Sequence, residues 1–73
     1  MMSCVMAWIT VPNGGPTVEV ALTDDGLTVI ASRQLPADAS HEAWDSALVA
    51  LGFCRMSDWM PSSSGFQCRA ARL

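Results

Sequence analysis

The chain has no lysine and no tyrosine, a single histidine at His41 and a single asparagine at Asn13. Each absence removes a class of chemistry. A phosphate-binding P-loop needs a lysine after its glycines, so Gly14-Gly15 reads as a turn and not as a nucleotide cradle. Three cysteines are present, Cys4, Cys54 and Cys68, with no Cys-x-x-Cys spacing among them. With one histidine they supply neither a zinc ribbon nor a thioredoxin motif. No metal and no cofactor is therefore expected. An odd number of cysteines does not build a disulfide framework, and a free buried cysteine behaves as a small hydrophobe. That usage fits a reducing, cytoplasmic setting. Whether Cys54 and Cys68 pair across a hairpin or sit diagonally without a bond is left open by their spacing.

Charge is also scarce. Charged residues make up 15% of the chain and apolar residues 51%, against a usual charged share of about 25%. The scarcity of lysine, asparagine and isoleucine matches a chain encoded by GC-rich DNA, as in some bacteria and their phages. The net charge of −3 lacks the basic excess of an electrostatic nucleic-acid binder. Residues 1–9 are apolar but lack a positive leader region and a following A-x-A site, and they fall far short of a membrane span. They are expected to enter a first strand.

The 73 residues are read as one small domain, 1–73, whose high ratio of surface to volume forces some apolar side chains outward. Contiguous apolar surface on such a chain marks an interface. Association with a protein partner, or with a second copy as a homodimer, is the leading functional expectation.

The element order expected is β-β-β-α-β-β, an α+β fold with one helix laid on one face of an antiparallel sheet. Residues 4–11 alternate, with Val5, Ala7, Ile9 and Val11 on one face and Met6, Trp8 and Thr10 on the other. Both faces are largely apolar, which suits a central strand. Pro12-Asn13-Gly14-Gly15-Pro16 breaks the chain. Residues 17–23 place Val18, Val20 and Leu22 on one face. Asp24-Asp25-Gly26 signals a hairpin into residues 27–33, where Leu27, Val29 and Ala31 share a face. Leu35-Pro36 leads into a helix near 38–51, capped by Asp38 or Ser40, with a stripe of Ala43, Trp44, Ala47, Leu48 and Leu51 and a left-handed stop at Gly52. Trp44 is expected in the core with a partner for its indole N–H. Residues 53–60 and 65–72 form a last hairpin around 61–65.

No catalytic constellation is visible, and an enzyme is not expected. Ser40, His41 and Asp38 are too close on one helical turn to converge as a triad. Large apolar and arginine side chains are the residues that dominate interfaces, so partner binding is assigned to Trp8, Arg55, Trp59, Met60 and Arg69, with Trp59, Arg55 and Met60 as one patch. The alternative is a small nucleic-acid-binding accessory protein that uses the arginines of the last hairpin, Arg55, Arg69 and Arg72, with Trp59 as a stacking residue.

Overall fold

A computed structural model of the chain describes residues 5–10 and 15–73. Cys4, Val11 and the expected Asn13-Gly14 turn lie outside the described residues. The elements are β1 (Val5–Thr10), β2 (Thr17–Thr23), β3 (Val29–Pro36), α1 (His41–Ala50), β4 (Phe53–Arg55), β5 (Met60–Ser62) and β6 (Gly65–Arg72). The fold is α+β. All strands form one antiparallel sheet in the order β3-β2-β1-β6-β4, with β5 pairing the other end of β6 beyond β4.

Pairing register sorts the side chains into two faces, because residues directly opposite in an antiparallel pair point the same way. Ala7 stands between Leu22 and Cys68, and Ile9 between Val20 and Phe66. With Val18 and Ala70 these form the inner face, and α1 lies on it through Trp44, Ala47 and Leu48. Ile9, Leu22 and Leu48 are fully enclosed, each contributing on the order of 2 kcal/mol by burial. The alternation expected of β2 and of residues 66–71 is observed, and β1 is central, flanked by β2 and β6.

The helix starts and stops on local chemistry. Ser40 is the N-cap: its Oγ accepts the Ala43 N–H at 3.2 Å. Of the two expected caps it is the one used. Asp38 lies ahead of it in a turn. His41 opens the helix, exposed and stacked on Trp44 with ring centroids 4.2 Å apart. Leu51 closes it, Gly52 follows with φ +92°, and Phe53 returns into the core. Trp44 is buried as expected, but its indole N–H has no hydrogen-bond partner among the described residues.

Three expectations shift. The third strand begins and ends later than 27–33. Leu27 belongs to the turn, and a register irregularity at Leu22/Thr23 sets Val29 opposite Thr23 and Ala31 opposite Leu22, leaving Ile30 as the extra residue. Val29 and Ala31 therefore do not share a face, since one inserted residue reverses the alternation. Pro36 is the last residue of β3, not a helix lead-in. It is tolerated because β3 is an edge strand, where a missing N–H costs no ladder bond. The segment 53–60 is not one strand: Met56–Trp59 leaves the sheet and β5 begins only at Met60. The detour is still tied to β6, through the Met56 N–H to the Arg69 carbonyl at 2.7 Å and the Arg69 N–H to Ser57 Oγ at 2.9 Å.

Candidate functional site

The detour after β4 explains where two of the expected partner-binding residues go. Asp45, on α1, accepts from Arg55 Nε at 3.0 Å, Arg55 Nη2 at 3.4 Å and the Trp59 indole N–H at 2.9 Å. Arg55 also donates to the Ser57 carbonyl at 3.0 Å and reaches Asp58 at 3.5 Å. The hydrogen bond and charge of Asp45 hold the guanidinium further above its usual pKa. Trp59 packs edge-on against Trp44 with centroids 5.4 Å apart. Arg55 and Trp59 thus clamp the detour onto the helix side.

Met60 faces the other way. It stands opposite Gln67, which stands opposite Trp8, which stands opposite Ala21, which stands opposite Ser32. This row crosses the outer face of the sheet. A neighbouring row runs Arg69, Met6, Thr23, Val29, and the next runs Ser62, Gly65, Thr10, Glu19, Gln34. Of the five residues expected to bind a partner, Trp8, Met60 and Arg69 therefore share one surface, and Arg55 and Trp59 do not join it. The expected Trp59–Arg55–Met60 patch is split by the sheet, because Trp59 and Met60 are adjacent in a strand entry and so point to opposite sides.

No described helix covers this outer face; α1 packs on the other side. Its surface is mostly uncharged. Met60 is 56% exposed and Val29 58%. Met6 and Trp8 are half-buried, Arg69 is exposed and Glu19 half-buried. Trp8 donates its indole N–H to Thr23 Oγ1 at 2.8 Å, so the ring is held in place without needing a ligand. Met6, Glu19 and Val29 were not singled out from the sequence as interface residues. The alternation of Met6 with Trp8 carries that signal for one of them. The placement of Glu19 and Val29 beside it needs the strand register.

The remaining arginines are scattered. Arg72 lies over the Phe53 ring, 5.1 Å from its centroid. Arg33 borders a groove of about 400 Å³ between β3 and α1, with Leu35, Ala43, Ser46, Ala47 and Ala50. Arg33, Arg55 and Arg72 are thus on the helix side, at opposite edges of the sheet, and Arg69 is alone on the outer face.

Cys54 and Cys68 also point to opposite faces, Cys54 opposite Ala71 on the outer side and Cys68 opposite Ala7 on the inner side. Both are unbonded. Burial pushes the Cys68 thiol up to about 11, against the opposing charge of Arg55. Among the described residues no three histidine, cysteine, aspartate or glutamate side chains gather as a metal site. Among the described residues no helix is long and apolar enough to cross a membrane. Comparison with known proteins gives no match to the chain from any family model, curated protein or solved structure.

Proposed function

We propose that this protein works by association, not catalysis, and that the outer face of its sheet is the surface through which it binds, with itself as the first partner. The observation that carries the reading is the mismatch between the two faces. One is sealed by α1; the other presents Trp8, Met6, Met60 and Val29 with no described element above them. Antiparallel sheets often leave one face to solvent, and on this one the large apolar side chains Met6, Trp8, Met60 and Val29 are the part suited to packing against a partner. Outer-face apolar surface of this kind marks a binding site. The unbonded Cys54 and Cys68 support a reducing, cytoplasmic setting.

The nucleic-acid alternative loses its supporting geometry. It needs Arg55, Arg69, Arg72 and Trp59 on one surface, whereas Arg55 and Trp59 are bound to Asp45 and Arg69 faces away from them.

Light scattering across a dilution series tests the proposal. The expected result is a species larger than the monomer at micromolar concentration, weakened by Met60→Glu in a chain that keeps its folded circular dichroism spectrum. A chain that stays monomeric through high micromolar concentration overturns self-association. Assembly indifferent to Met60→Glu moves the interface off this face.

A further inference from the structure

The geometry points to a specific homodimer, in which the outer faces of two copies pack across a two-fold axis that runs over Trp8. The inference rests on the outer face being the association surface, and adds the symmetry and the contacts. Trp8 sits at the middle of the described part of that face, on the central strand. Among the described residues this face carries one cation and one anion, Arg69 and Glu19. Arg69 is opposite Met6 on the β6 side of Trp8, and Glu19 is opposite Thr10 on the β2 side. Each is one strand over and one pleat step along from Trp8, in opposite directions. The ideal spacings of a sheet put them about 17 Å apart, too far to pair within one chain. Among the described residues neither forms an ion pair; the pairs present join Arg55 to Asp45 and Asp58.

This arrangement is self-complementary. A two-fold axis lying between two stacked faces acts on the surface as a reflection across its own line. If that line passes over Trp8 at right angles to the Arg69–Glu19 direction, Arg69 of each copy lands on Glu19 of the other. A closed two-fold dimer requires this kind of mutual pairing, with one patch serving both sides. The same line, drawn with ideal spacings, runs over the position two strands from Trp8 on the Met6 row. That position is Val29, opposite Thr23. The 58% exposed Val29 thereby meets its own copy, as does Trp8. The strands of the two sheets cross at roughly 70°, near the perpendicular class of sheet packing. The three rows hold fourteen positions and project roughly 460 Å² at ideal spacings, the small end of specific interfaces, which suits a dimer that forms at micromolar concentration.

Charge exchange tests the axis. Arg69→Glu and Glu19→Arg each place like charges at both crossings, and each is expected to weaken self-association about tenfold in sedimentation velocity. The neutral variants Arg69→Gln and Glu19→Gln remove attraction without adding repulsion and are expected to weaken it about two- to threefold. The doubly exchanged chain carrying both reversals regains association. An equimolar mixture of the two reversed single variants forms a heterodimer in native mass spectrometry in preference to either homodimer. Reversed variants that associate like the wild type, or a mixture that forms no preferred heterodimer, overturn the two-fold arrangement and leave the association reading standing. A wild-type chain that is monomeric at high micromolar concentration overturns both.

Discussion

Trp8 and Thr23 are joined diagonally across the β1–β2 pairing by an indole N–H to hydroxyl bond of 2.8 Å. Thr23 is only 6% exposed although it lies on the face that α1 leaves open. The pair thus fixes the largest side chain of that face over its neighbouring strand. Thr23→Val preserves the shape of the side chain and removes the acceptor. It is expected to cost about 1 kcal/mol, read as a lower urea midpoint with an unchanged m-value. An unchanged midpoint would show that solvent satisfies the indole equally well.

Gly65 and Gly52 both have positive φ, at +149° and +92°, but they differ in surroundings. A Cβ on Gly65 would fall on the Ile9 carbonyl, well inside van der Waals contact, whereas one on Gly52 meets nothing within 4 Å. Gly52→Ala is expected to cost about 1 kcal/mol from backbone strain alone. Gly65→Ala adds a clash with the backbone of β1 and is expected to cost about 2–4 kcal/mol. Thermal denaturation of the two variants side by side gives the ordering; equal costs would contradict the close approach of β6 to Ile9.

Leu27 carries positive φ without being glycine, at +63°, and its side chain is 68% exposed. It is not among the residues packed against the core, so little burial offsets the strain of a left-handed conformation. Leu27→Asn is expected to stabilise the chain by roughly 1 kcal/mol, since asparagine tolerates that region. Leu27→Ala keeps the strain and should leave the melting temperature nearly unchanged. A gain with alanine equal to that with asparagine would assign the effect to the lost exposed side chain instead.

Cys68 is 2% exposed, and its thiol is raised to about 11 by burial. In the unfolded chain a thiol ionises near 8.5. Above that pH the unfolded state releases a proton that the folded state keeps, so stability is full below about pH 8.5 and falls as pH rises toward 11. Cys68→Ala should flatten that segment of the stability curve, although it also costs packing at every pH. Mass-mapped alkylation at pH 8 should label the half-buried Cys54 well before Cys68. Labelling of both at equal rates would mean that the β6 seam opens readily.

What the sequence makes legible here is what local physics decides. The alternation of Val18, Val20 and Leu22 survives into the sheet because one inner face is enough to fix it. Ser40 and Gly52 bracket α1 because capping acts within a turn of its own residue. Boundaries that depend on a neighbour are lost. Pro36 can end β3 because no described strand lies outside it, and Ile30 breaks the alternation because Val29 pairs with Thr23. The interface candidates divide in the same way. Met60 and Trp59 look alike as large exposed residues in sequence, but the Asp45 carboxylate captures the indole of Trp59 from α1. Nothing local to residues 55–60 announces that distant acceptor. Arg69 and Glu19 acquire their relation to Trp8 only through two strand registers.

The central position of β1 has a kinetic consequence. Its β2 side is completed by a neighbour in the chain, but its other side waits for β6, as the pairing of Val5 with Ala70 records. Closing that seam joins segments separated by nearly the whole described chain, an expensive loop to form early. During synthesis the β1–β2–β3 meander emerges with the unpaired edge of an apolar strand exposed. α1 cannot seal the inner face until β6 supplies Phe66, Cys68 and Ala70 beneath it. The sheet is therefore expected to close only once β6 is available, and loss of the β6 segment should leave an aggregation-prone fragment instead of a smaller folded one.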